Sequence, residues 1–166
     1  MVNDLRGFIA VRHRQHGILL LQASKKKKGL HYQLPGGRVD ESELRTHGPE
    51  EGCRIAAARE LFEETGIDVR SQLDRLRPLE LSASPLERLE KFHGRMYFEL
   101  EISEADSSFA EGSLPPLTSE DFRLRLSSEH VAWVFEKDIE KAALSVEHHS
   151  GGYNSAALRL GVHPWS

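Results

Sequence analysis

Three glutamates, Glu60, Glu63 and Glu64, stand at positions i, i+3 and i+4 of the run RELFEETGI. On an α-helix these positions share a face. With Glu60 as reference, Glu64 lies about 40° to one side and Glu63 about 60° to the other. Like charges so arranged repel, and Arg59, four residues before Glu63, is the nearby neutralising partner. Two readings follow: an acidic face turned to water, or a seat for a divalent cation. A hard ion such as Mg²⁺ takes oxygen ligands, binds through a few carboxylates, keeps waters and is shared with substrate phosphates. Such an ion would offset the repulsion.

These side chains need a helix to carry them and a turn to face. From Ile55 to Glu64 the apolar residues Ala57, Ala58, Leu61 and Phe62 follow the helical period, and Gly66 supplies the stop. The turn is the "LPGG" of the short strand HYQLPGG, which ends at Gly37. Upstream, RGFIAVRHR and GILLLQAS read as a β-hairpin with Ile9, Val11, Leu19 and Leu21 in the core. KKKKGL reads as a polar loop. Downstream, LRPLELSAS and GRMYFELEIS read as strands joined by a charged loop, PLERLEKFH. Residues 104–123 read as a long loop, HVAWVF as the last strand, and EKDIEKAAL and NSAALRLG as two short helices. This order predicts an α/β (α+β) chain with a mixed central sheet covered by helices, in one domain over 1–166.

Composition narrows the classes. A net charge of −4 argues against a general nucleic-acid coat protein. The lone Cys53 excludes an internal disulfide framework; within the helix it reads as a small buried hydrophobe. No apolar run approaches the roughly 18 residues of a membrane span. Charges interrupt the start of the chain too often for a signal-peptide core, which predicts a cytoplasmic protein. No H-x₃-H or C-x₂-C pair supports zinc, and the adjacent His148 and His149 do not suit one ion.

The segment Arg59-Glu60-Leu61-Phe62-Glu63-Glu64-Thr65-Gly66-Ile67 matches R-E-U-x-E-E-x-G-U, where U is aliphatic, and so resembles the signature of the Nudix hydrolases. The preceding "LPGG" is also typical of that family. One departure stands out. The signature places five residues between its glycine and a first glutamate, then seven before the arginine. Glu43 satisfies the first spacing and Glu51 the second, and no residue satisfies both. An eight-residue insertion in the loop over 41–48 accounts for this. Pro49, Glu50 and Glu51 would then open the helix, where proline and acidic side chains are favoured. Glu51 is the preferred family glutamate, with Glu43 the other candidate, and the enlarged loop is expected to tune substrate choice.

The resemblance implies a Nudix fold, an α/β/α sandwich, and metal-dependent hydrolysis of a pyrophosphate bond. The substrate would be a nucleoside diphosphate linked to another moiety, such as a dinucleoside polyphosphate, ADP-ribose or an NDP-sugar. It implies Mg²⁺ or Mn²⁺ held by Glu60, Glu63, Glu64 and the Gly37 carbonyl. Arg59 would orient the glutamates, and Glu51 and Gly66 would support the motif. The proton acceptor would be Glu60 or a later acid. Glu129, just ahead of HVAWVF, is the distant candidate, unless it merely begins that strand. Alternatives are an RNA 5′-end or inositol pyrophosphate hydrolase, a non-catalytic nucleotide- or RNA-binding module, and an isomerase on the same fold. Lys27 and Lys28, in the lysine run, and Arg38 could reach extra phosphates, or the lysines could simply solvate a loop. Tyr32, Phe92, Tyr97, Phe109 and Trp133 are either base-stacking or core residues.

Overall fold

The structure is a computed structural model and describes residues 4–25, 29–79, 84–103 and 130–161. Its strands are β1 (Arg6–His13), β2 (Gly17–Lys25), β3 (Gly29–Gln33), β4 (Gly36–Arg38), β5 (Arg77–Pro78), β6 (Arg95–Ile102) and β7 (His130–Glu136). Its helices are α1 (Glu41–Thr65), α2 (Pro85–Lys91), α3 (Ile139–Ser145) and α4 (Tyr153–Gly161). β1 runs parallel to β6, and the other pairings are antiparallel: β1 with β2 and β4, β2 with β3 and β7, and β5 with β6. The sheet is therefore mixed.

Side-chain alternation along the strands builds two cores. Ile9, Val11, Leu19, Leu21, Phe98 and Leu100 face Cys53, Ala56, Ala57 and Leu61 of α1. Phe8, Ala10, Ile18, Leu20 and Tyr97 face Ala142, Ala143, Ala157 and Leu158 of α3 and α4. Both faces of the sheet are thus covered, which is the α/β/α sandwich. It also explains why GILLL reads as an unbroken apolar run: a strand buried on both faces has no polar side to show. Leu20 belongs to one core and Leu21 to the other.

The approach of α1 to the sheet depends on glycine. A Cβ on Gly7 would come within 2.2 Å of the Cys53 carbonyl oxygen, so only hydrogen lets helix and strand pack this closely. Cys53 is fully buried, and burial, followed by the nearby Glu50, pushes its thiol pKa up to about 12.

Three elements differ from the sequence expectation. Residues 41–48 form no loop. Residues 41–47 are helical, the chain extends at Gly48 (φ 82°, ψ 177°), and the helix restarts with Pro49. An extended residue with positive φ suits glycine, and proline suits the first turn of the restarted segment. PLERLEK is helix α2 rather than a charged loop. Ser84 caps it by accepting from the Glu87 N–H at 3.2 Å, Pro85 occupies its first turn, and Leu89 anchors it in the core. The strand expected over LRPLELSAS is reduced to Arg77–Pro78 within the described residues. The expected 104–123 loop, Glu129, Phe109, Lys27 and Lys28 lie outside the described residues.

Candidate active site

Arg59 joins the elements around the acidic face. Its Nε and Nη2 donate to the two carboxylate oxygens of Glu43, each at 3.1 Å. Nη2 also donates to the Arg38 carbonyl at 3.0 Å. Nη1 donates to Glu60 Oε1 at 3.0 Å and lies 3.8 Å from Glu63 Oε1. The planar guanidinium supplies donors in a fixed fork, so one side chain can fix three segments: the 41–47 helix, β4 and the acidic face. Its pKa rises, chiefly through the hydrogen bonds to Glu43, against the opposing effect of burial. For Glu43 burial favours the protonated form, but the Arg59 bonds and the Asp40 N–H, which donates to Oε1 at 2.8 Å, outweigh it. The carboxyl is held below its usual range.

The Gly36–Gly37 pair meets this face directly. A Cβ on Gly37 would lie 2.7 Å from the Glu60 carboxyl carbon and 2.8 Å from its Oε1, so the missing side chain is what lets the carboxylate seat against the strand. The Gly36 N–H donates to Glu64 Oε1 at 2.9 Å. Gly36 has φ 149°, and a Cβ there would come within 2.3 Å of the Gly7 carbonyl oxygen. Glu64 is buried, at 7% exposure, and the side chain of Glu63 is 54% exposed. The face therefore grades from a buried carboxylate to an open one.

The structure brings together Gly37, Arg59, Glu60 and Glu64, with Glu63 at the rim. Gly66 closes α1 in the left-handed conformation (φ 81°), its N–H donating to the Phe62 carbonyl at 2.8 Å. Glu51 does not reach this cluster. It bonds to Arg54, which itself donates to the Leu76 carbonyl at 3.1 Å. Of the two candidate glutamates, Glu43 is the one set against Arg59. The spacing D-x-x-E at Asp40–Glu43, a helix-start signature, was the available signal. Arg38 contributes its carbonyl to Arg59, while its side chain pairs with Asp4 at 3.0 Å. Phe92 and Tyr97 are core residues, and Trp133 and Tyr32 are partly buried against the two cores.

The donor set suits a hard cation in kind: carboxylates plus a backbone carbonyl beside a side-chain-free position. Among the described residues, no three acidic, histidine or cysteine side chains converge on one point. Glu60 and Glu64 direct Oε1 to Arg59 and to the Gly36 N–H instead.

A family model of the NUDIX domain matches residues 4–143. Among solved structures, the chain resembles an Ap4A hydrolase from C. elegans at 23% identity and a TM-score of 0.52, covering 93% of this chain and 92% of that one. It also resembles the E. coli dihydroneopterin triphosphate pyrophosphohydrolase at 16% identity and a TM-score of 0.53, covering 94% of each. At these identities the likeness is one of fold. No curated protein matches the chain. Among the described residues no helix is long and apolar enough to cross a membrane. Matched over most of its length by the family model, and carrying the family's arginine and glutamates on the helix that faces its Gly-Gly strand, the chain belongs to the Nudix family and is a Nudix-type hydrolase.

Proposed function

We propose that the protein hydrolyses a pyrophosphate bond in a nucleoside diphosphate joined to another group, with Mg²⁺ or Mn²⁺ as cofactor, in the cytoplasm. The observation that carries the reading is the close approach of the Glu60 carboxylate to Gly37, with Arg59 Nη1 donating to its Oε1. A divalent ion, when bound, neutralises phosphate oxygens and acidifies a coordinated water. Glu60, Glu63, Glu64 and the Gly37 carbonyl would hold it.

The chain's own residues contribute position and proton handling. Arg59 fixes the rotamer of Glu60, and the Gly36 N–H fixes that of Glu64. These preset geometries reduce the ordering needed when substrate arrives. A carboxylate oxygen of Glu60, or of Glu129, accepts the proton of the attacking water. No covalent enzyme intermediate is required, in keeping with a buried Cys53 whose thiol stays protonated.

The test is a substrate panel with Mg²⁺: ADP-ribose, diadenosine polyphosphates, nucleoside triphosphates, inositol pyrophosphates and 5′-capped RNA. Hydrolysis of one or more, abolished in Glu64→Gln, is the expected result. Cleavage of none overturns the reading in favour of a binding module, and cleavage that survives that substitution unchanged overturns the role given to Glu64.

A further inference from the structure

One cross-strand row on the α1 side of the sheet continues from the turn that holds Glu64. Leu21 of β2 stands opposite Gln33 of β3 on one side and opposite Trp133 of β7 on the other. Residues so paired project from one face of a sheet. Leu21 lies in the α1-side core, and Trp133 packs against that core. Tyr32 and Leu34, the chain neighbours of Gln33, belong with the α3–α4 core instead. Alternation therefore puts Gln33, and His31 two residues before it, on the side of the sheet from which Glu60 and Glu64 approach.

The row is tied to the acidic face through the turn. The Pro35 carbonyl accepts from the Ile9 N–H at 2.9 Å, and the Gly36 N–H donates to Glu64 Oε1 at 2.9 Å. Three residues of chain span at most about 11 Å, so the Gln33 Cα lies within that distance of the Gly36 Cα. A nucleotide covers a distance of this order from its base to its second phosphate. α1 packs chiefly over β1, β4 and β6, and Gln33, His31 and Trp133 stay only partly buried.

The polar member of the row is preset. Gln33 Nε2 and His31 Nε2 are 2.8 Å apart. An amide nitrogen only donates, so His31 Nε2 accepts and the ring carries its proton on Nδ1. This bond fixes the rotamer of Gln33. The same carboxamide carries a second N–H and an acceptor oxygen, side by side.

We propose that Trp133 and Gln33 bind the nucleobase of the substrate, with adenine the base preferred. That the bound nucleotide is a substrate rests on the hydrolase reading above; the base site itself does not. The indole face stacks on the base, a contact that tolerates any base. The Gln33 carboxamide accepts from adenine N6–H and donates to N7, a bidentate match. Guanine offers two acceptors on that edge, so the glutamine oxygen meets a second oxygen there. His31 is a positioning residue that aims Gln33. With the base on this row, the phosphates extend past the turn toward Gly36, Gly37 and the carboxylates.

The test titrates ADP, GDP and inorganic pyrophosphate calorimetrically into metal-free protein, so that no turnover is needed. ADP should bind more tightly than GDP, and both more tightly than pyrophosphate. Gln33→Leu should weaken ADP about tenfold and bring it level with GDP. Trp133→Leu should weaken both nucleotides alike, and Trp133→Phe should restore most of the loss. His31→Ala should narrow the gap between ADP and GDP. Pyrophosphate affinity should stay the same in every variant, which a folding defect would not allow. ADP binding no tighter than pyrophosphate, or indifferent to Gln33→Leu and Trp133→Leu, overturns the base site. An equal affinity for ADP and GDP overturns the adenine preference. With Mg²⁺ present, Gln33→Leu should raise KM for adenine-containing substrates and leave kcat within about twofold. ADP binding with these sensitivities, but no hydrolysis of any panel substrate, would sustain the base site and refute the hydrolase reading. Hydrolysis indifferent to both substitutions would do the reverse.

Discussion

Glu43 and Arg59, sixteen residues apart, meet through two parallel hydrogen bonds, each 3.1 Å, between the guanidinium fork and the two carboxylate oxygens. With Glu43 taken as the family's glutamate, the extra residues fall after it rather than before it. Glu43 keeps the spacing from Gly37, and the added length lies in the rest of the 41–47 helix and the restart at Pro49.

Glu43→Gln should lower kcat more than it raises KM, because Arg59 would lose the anchor that aims it at Glu60. The side chains are 14% and 25% exposed, and loss of the charge-assisted pair should cost about 1–2 kcal/mol of stability. Glu51→Gln should leave kcat within about twofold, since Glu51 pairs with Arg54, away from the acidic face. Steady-state kinetics and denaturant melts on both variants check this. Equal effects would refute the assignment.

The same pair should appear in the acid limb of stability. The folded pKa of Glu43 lies below its ordinary value of 4.5, so its contribution is complete above the unfolded value and is lost as pH falls through the folded one. The stability gap between the wild type and Glu43→Gln should hold from pH 7 to about 5, then close on further acidification. Thermal melts across this range measure it.

Two glycines should respond to alanine in opposite ways. Gly37→Ala meets the far end of the Glu60 side chain, which can swing aside. The fold should survive, while activity drops by about a hundredfold as the carboxylate leaves its seat. Gly7→Ala meets the Cys53 backbone carbonyl, which cannot move without shifting α1. That variant should lose about 1–3 kcal/mol of stability. Melting temperature and turnover on both proteins separate the two effects.

Divalent-cation binding should register as stability. Mg²⁺ at a hundredfold excess over its Kd should stabilise the native protein by about 2.7 kcal/mol, or roughly 5–10 °C for a chain of this size. Glu64→Gln should abolish that shift. Its amide oxygen can still accept the Gly36 N–H, so its metal-free melting temperature should stay close to that of the native protein. A metal shift that persists in the variant would remove Glu64 from the ligand set.

The sequence was most legible where local period and packing agree. Ala57, Ala58 and Leu61 recur at helical spacing and are buried, and Ile9, Val11, Leu19 and Leu21 sit on the α1 face as the alternation indicates. It was least legible where a helix is set by its ends. The 41–47 segment has little apolar periodicity, so its start is carried by Asp40 and Glu43. PLERLEK is likewise polar on most of its surface, and Ser84, Pro85 and Leu89 define it. The choice between Glu43 and Glu51 depended on where the chain bends. Gly48, whose φ is 82°, is also compatible with a simple loop in one dimension.

That bend decouples length from aim. In an unbroken helix, each inserted residue would rotate everything beyond it by about 100° relative to what lies before. Because the chain leaves helical geometry at Gly48 and starts afresh at Pro49, the rotational phase of Glu60, Glu63 and Glu64 is counted from Pro49 alone. Segments of different length can be spliced in ahead of that point while the carboxylates keep their bearing on Gly37. The protein thus carries a ready-made grafting joint beside its reactive face.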